Sequence, residues 1–144
     1  ASFAHKDKKI SEERKAAMHK AAEILRGKGL DVFLPCDHPL PNAWDMDNYS
    51  WGCAVYGSDI SALQSCDIVV YLSWGKLDNA AGSAWEAGYA CGLEKSIVLV
   101  SMTDSLESLM VTVSSRAHIR GLNELSKYDF EKMPIIKRQL NEVN

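Results

Sequence analysis

Apolar and polar positions alternate between two rhythms along the chain. Met18, Ala21, Ala22 and Leu25 recur at i, i+3, i+4 and i+7, one stripe of a helix. Ser11 is placed to cap it, with Glu12 and Glu13 in the first turn, and Gly27 and Gly29 stop it. Val32-Phe-Leu34 reads as a short strand ended by Pro35. Residues 36 to 50 hold Pro39, Pro41, Asn42 and Asn48 and read as a folded loop, long enough to be functional. A helix is expected from Trp51 to Ser65. Asp67 to Leu72 and Ser96 to Ser101 are apolar, β-branched runs, the mark of strands buried on both faces. Between them lie a loop, Ser73 to Ala81, and a helix, Ser83 to Leu93. A turn at Thr103 and Asp104 precedes a helical stretch from Leu106 to Met110. Val111-Thr-Val113 reads as a short strand and Leu122 to Tyr128 as the last helix. Helices that alternate with apolar strands predict an α/β domain with a mainly parallel sheet. Ligands of such sheets bind beyond the carboxyl ends of the strands, here the loops after Leu34, Leu72 and Ser101.

Composition narrows the function. The chain has 144 residues, which suits a single domain spanning 1–144. Its hydrophobic content of 47% supports a sizeable core. A net charge of −3 argues against a nucleic-acid binder. No apolar stretch reaches the ~20 residues of a membrane span. His5, Lys6, Asp7, Lys8 and Lys9 break any signal-peptide core. Cys36, Cys53, Cys66 and Cys91 include no C-x-x-C pair, so zinc is not indicated. They read as buried thiols of a reducing, cytoplasmic compartment. The alternative is a catalytic Cys paired with His5, His19, His38 or His118, and no spacing favours one of these. A P-loop, G-x-G-x-x-G, H-E-x-x-H and G-x-S-x-G are all absent.

Two carboxylates stand out. Ser83 and Glu86 have capping-box spacing, which would turn Glu86 back onto a backbone amide. The other reading is a nucleophilic carboxylate, kept ionised by a first-turn position. Asp59 falls on the apolar arc of Trp51, Val55, Ala62, Leu63 and Cys66. A carboxylate there is costly unless paired or functional, or unless the helix begins near Ser58 and Asp59 caps it. Asp67 reads as a strand-edge residue bonding backbone amides. Gly88 and Gly92 leave a helix face without side chains, read as close helix–sheet packing. Trp44, Trp51, Trp74 and Trp85 fill core or interface by their size. Trp44 and Trp74 also lie at the ligand edge, where the functional alternative is stacking on a planar ring; Asp37 and His38 read as solvated loop residues or, in that alternative, as the ring's hydrogen-bonding partners.

At Gly82-Ser-Ala-Trp-Glu-Ala-Gly-Tyr-Ala90 the chain resembles the G-T-A-x-E-x-G-Y-A signature of the nucleoside 2-deoxyribosyltransferase family. Trp51 to Ile60, with Tyr56 and Asp59, followed by Cys66-Asp-Ile-Val-Val70, is similar to its W-x-x-x-x-Y-x-x-D-L…D-I stretch. Ser108-Leu-Met110 resembles its N-L-M turn, and Tyr128-Asp-Phe130 with Pro134 its C-terminal Y-D-F…P. The resemblance implies a flavodoxin-like three-layer α/β sandwich with a mainly parallel sheet. It implies homo-oligomers whose subunits share active sites, and nucleoside salvage chemistry. It puts the nucleophile on Glu86 and the base-contacting acid on Asp59. Asp37, Trp51, Tyr56, Gly82, Ser108 and Met110 would bind substrate, a 2′-deoxynucleoside and a free nucleobase. No metal or organic cofactor is implied.

Three departures qualify the resemblance. The family begins with a strand such as K-I-Y-L-A-S. Here Ala1-Ser-Phe3 opens the chain, as if that strand were missing or truncated, with Ser2 and Phe3 left to line the pocket. The family's sugar-binding Asp is replaced by Ala80, and Asp78 substitutes only if the loop shifts. Ser108 stands in place of Asn. Ala80 and Ser108 are also what related 2′-deoxynucleoside 5′-monophosphate N-glycosidases lead one to expect, because a lost carboxylate no longer repels a 5′-phosphate. A catalytically weak nucleotide-binding module is the third reading.

Overall fold

The computed structural model of the chain describes residues 7–75 and 80–133. Helix α1, Lys8–Gly27, starts earlier than expected. Asp7, not Ser11, is its N-cap, and its Oδ1 accepts from the Lys9 amide at 2.8 Å. The Ser11 amide is already inside the helix, donating to the Asp7 carbonyl. Met18, Ala21, Ala22 and Leu25 are buried as their spacing requires. Beyond Gly27, Gly29 adopts φ +80 and lets the Leu30 amide return to the Leu25 carbonyl at 3.2 Å.

Residues 31–34 do not form the expected strand. Leu34 is extended and buried, so the apolar pattern does report burial. A strand also needs a backbone ladder, and the Val32 carbonyl instead accepts from the Arg26 guanidinium at 3.3 Å. Two 3₁₀ turns follow, Pro35–Asp37 and Ala43–Asp45. Helix α2, Asn48–Ser65, begins one turn before Trp51 because Asp47 caps it. Asp47 accepts from the amides of Tyr49 and Ser50 at 2.9 and 3.0 Å. Asp59 is therefore well inside a helix and caps nothing.

Strand β1, Ile68–Ser73, helix α3, Ala81–Gly92, and strand β2, Ser96–Ser101, fall close to their expected places. Asp67 bonds through its backbone, its carbonyl accepting from the Ser96 amide. The expected strand at 111–113 is instead helix α4, Leu109–Ser114. Strand geometry would put Val111 and Val113 on one face, but they are 8% and 80% exposed, as two residues some 200° apart on a helix are. Strand β3, Ala117–Arg120, and helix α5, Gly121–Lys127, complete the order among the described residues.

The sheet is parallel, in the order β1-β2-β3, with Ser73 opposite Ser101 and Val98 opposite Ala117. Leu72, Val98, Val100 and Ile119 pack against α1 and α5 on one face. Tyr71, Ile97 and Leu99 pack against α3 and α4 on the other. This is the three-layer α/β sandwich the sequence predicts. Ala87 and Ala90 bring α3 onto the sheet; Gly88 and Gly92 do not, since a Cβ added at either meets nothing within 4 Å.

The loops after β1 and β2 are joined. The Met102 amide donates to the Ser73 carbonyl at 2.8 Å, and Thr103 Oγ1 donates to the Trp74 carbonyl at 3.3 Å. Gly75 has φ +101, and a Cβ there would lie 2.5 Å from Ser105 Cβ. Gly75→Ala is expected to lower stability by about 2 kcal/mol, measured by urea unfolding, because both the conformation and the close approach exclude a side chain.

Candidate active site

Glu86 lies on the second turn of α3. Ala80 is the N-cap and makes no side-chain capping bond, while Ser83 is buried within the helix. The capping box is therefore not formed, and the first-turn dipole argument does not apply to Glu86. Burial sets its electrostatics instead.

Helix α2 lies beside α3 and brings Asp59 to face Glu86. The pairing of the two helices is held by Tyr56 tilted on Trp85 at 5.7 Å and by Gln64 Nε2 donating to Tyr89 Oη at 2.9 Å. Both carboxyls are half-buried, and each lies close enough to the other to influence its proton affinity. Burial pushes Glu86 above the usual carboxylate range, and the neighbouring Asp59 charge pushes it further. Burial also raises Asp59, and Glu86 partly offsets this. Two raised carboxyls in contact hold one proton between them more readily than none or two. One member can then be an ionised nucleophile while the other carries a proton; for Glu86 to attack, that proton must sit on Asp59.

The pair stands in the wall of a cavity of about 440 Å³ between α1, α2 and β1. Met18, Leu34, Pro35, Val70 and Leu72 supply apolar lining. Apolar walls with few polar groups are the usual pattern of small-molecule sites.

The remaining candidates are dispersed. Ala80 and Gly82 lie at the start of α3, Trp51 and Tyr56 are exposed on α2, and Ser108 and Met110 stand at the start of α4. None of these lines the cavity, nor does Asp37. Ser2, Phe3, Asp78 and Pro134 lie outside the described residues.

Asp37 is engaged elsewhere. Its Oδ1 is 3.5 Å from His19 Nδ1 and its Oδ2 is 3.7 Å from Arg26 Nη2. Cys36 Sγ is 3.7 Å from His19 Nε2, a pairing no sequence spacing disclosed. The thiol is not activated, because burial and then Asp37 push it above its ordinary value. His19, Cys36 and Asp37 bring three donors within 4.8 Å of one another. They flank opposite nitrogens of one ring, and Arg26 already neutralises the carboxylate, so we assign no ion there. None of the cysteines is fully buried, contrary to expectation; none of the four is in a disulfide, and Cys53 is exposed. His38 stacks on Phe33 at 4.8 Å, and Trp74 lies under the Arg14 guanidinium at 4.8 Å. Trp44 is 99% exposed.

The sequence model of the nucleoside 2-deoxyribosyltransferase family matches residues 7–124. The chain belongs to this family. A solved structure of a 2-deoxyribosyltransferase from the psychrotolerant bacterium Bacillus psychrosaccharolyticus superposes with a TM-score of 0.78. It is 28% identical, and the match covers 93% of this chain and 92% of that one. That enzyme is described as a biocatalyst for the synthesis of antiviral and antitumoral nucleosides. No curated protein matches the chain. Family and fold together make this a nucleoside 2-deoxyribosyltransferase-type enzyme, acting in general on nucleosides and nucleobases. Among the described residues no helix is long and apolar enough to cross a membrane.

Proposed function

We propose that the chain transfers 2-deoxyribose between nucleobases through a covalent ester on Glu86. The observation that carries this is the Asp59–Glu86 carboxyl pair in the wall of the cavity, in a chain of this family. A Glu86 oxygen attacks C1′ of a 2′-deoxynucleoside. The C1′–N bond breaks, its electron pair goes to the base nitrogen, and Asp59 delivers the proton that nitrogen takes up. Asp59 then takes the proton from an incoming base, whose nitrogen attacks C1′ and releases the Glu86 carboxylate. Two displacements give net retention, as in retaining glycosidases.

Chromatography of two reactions tests this reading. One contains a 2′-deoxynucleoside with a different free base, and a new nucleoside is expected. The other contains a 2′-deoxynucleoside 5′-monophosphate alone. Release of base only in the second would move the assignment to a nucleotide N-glycosidase. Ala80 favours that second reading, since it puts no charge at the start of α3 to repel phosphate. Binding of nucleosides without turnover would leave only the nucleotide-binding module.

The active unit is a homo-oligomer with shared sites, within the cytoplasm. Leu106, Leu109, Met110 and Val113 are 71–83% exposed, an apolar face that a second copy would cover. Met110 and Ser108 lie there rather than at the cavity, as residues lent to a neighbouring subunit would. Met110→Lys is expected to weaken self-association about ten-fold, seen by light scattering, with specific activity falling on dilution. Unchanged activity from a monomeric variant would contradict the shared site.

A further inference from the structure

A hydrogen-bond network behind α4 has no part in the chemistry above. Ser73 and Ser101 end β1 and β2, lie opposite each other in register, and are buried. Adjacent strands lie about 4.8 Å apart, so one carboxylate can accept from both hydroxyls. Glu107 does this: Ser73 Oγ donates to Oε2 and Ser101 Oγ donates to Oε1, each at 2.6 Å. Ser101 Oγ is also 2.7 Å from His118 Nε2 on β3. The single hydroxyl proton goes to Glu107, so His118 donates through Nε2. Ser73 Oγ accepts from the Gly75 amide at 3.2 Å. One carboxylate thereby connects the ends of β1 and β2, and through them the loop toward α3 and the β3 edge.

The next residue is Ser108, the N-cap of α4, whose side chain makes no capping bond. Helix α4 is also too short to be stable by itself. The placement of Ser108, Leu109 and Met110 thus depends on an anchor other than a cap, and Glu107 is adjacent. We propose that Glu107 is a positioning residue for the transfer reaction. Its carboxylate staples the β2–α4 loop to the strand ends and so fixes where Ser108 and Met110 are presented. This rests on the reading above, in which those two residues serve substrate binding.

The test is steady-state transfer by the full chain with a 2′-deoxynucleoside donor and a free-base acceptor. Wild type is compared with Glu107→Ala, Glu107→Gln, Ser73→Ala, Ser108→Ala and the Glu107→Ala/Ser108→Ala pair. Gln preserves the staple: its oxygen accepts from Ser73, its amide donates to Ser101, and Ser101 turns its proton to His118. Glu107→Ala is expected to lower kcat/KM about ten-fold or more, mainly through donor KM, with Glu107→Gln within about three-fold of wild type. The double variant should be no worse than the weaker single by more than about three-fold, because both changes remove one function. If Glu107→Ala does not fold, Ser73→Ala removes one arm of the staple and should show a smaller rise in donor KM. A melting-temperature loss with kcat and KM unchanged, additive losses in the double variant, or a folded but equally impaired Glu107→Gln would overturn the proposal. A wild type that forms no new nucleoside would remove the transferase reading itself. Normal wild-type transfer beside an unaffected Glu107→Ala would remove this proposal alone.

Discussion

Glu86→Gln is expected to lower transfer on the order of 10³-fold or more, roughly 4 kcal/mol of barrier, while raising the melting temperature at pH 7. The loss follows from removing the atom that attacks C1′, since an amide oxygen is a far poorer nucleophile. The gain follows from the pair's electrostatics. Burial, then Asp59, raises Glu86, so the folded chain binds its proton more tightly than the unfolded chain does. Stability from this source is fully present below the ordinary carboxylate range and is lost as pH rises through the raised folded value. As pH rises, the half-buried Glu86 charge beside Asp59 therefore costs stability, and a neutral Gln relieves it. Thermal unfolding from pH 4 to 7 should show the variant's advantage growing with pH. Glu86→Ala should also remain folded, because the side chain caps nothing. Full activity in either variant would sink the mechanism.

Asp59→Asn is expected to reduce kcat about 10²-fold, the usual scale for loss of a general acid. The deficit should be largest for donors whose bases leave reluctantly and smallest for those that need little protonation. Removing Asp59 also removes the like charge that raises Glu86. The acid limb of the pH–rate profile should therefore move to lower pH. Stability at pH 7 should not fall, since Asp59 is itself raised by burial. Unchanged turnover with a lower melting temperature would make Asp59 a structural residue.

The sequence singles out both carboxylates as candidates, for different reasons. Asp59 sits on an apolar helical arc, and Glu86 sits inside a motif that resembles a family signature. The bland reading of Glu86 failed for a positional reason. Capping-box spacing acts only when the Ser is the N-cap, and α3 starts before Ser83. Strands β1 and β2 were legible because their apolar runs are buried on both faces. Strand β3 was not, since an edge strand of four residues with His118 and Arg120 exposed carries almost no pattern. Val111 and Val113 misled in the opposite direction, since β-branched residues favour strands only where the fold supplies a ladder.

Contacts across distant segments were invisible for a different reason. Ser73 and Ser101 close the two apolar runs, and Glu107 falls in the stretch from Leu106 to Met110 with no spacing that ties it to either. Their network exists only once β1, β2 and β3 are laid side by side in register. The pairing of Cys36 with His19 likewise needs α1 packed against the turn at Pro35–Asp37.

The most direct test of the covalent mechanism is the mass of the enzyme itself during turnover. Wild type mixed with a 2′-deoxynucleoside alone is quenched in acid within a turnover, digested and mapped by mass spectrometry. The peptide containing Glu86 is expected to gain the mass of one deoxyribosyl group, the gain to disappear when a free base is added before quenching, and Glu86→Gln never to show it. Transfer activity with the deoxyribosyl group on another residue, or with Glu86→Gln still labelled, would contradict that mechanism.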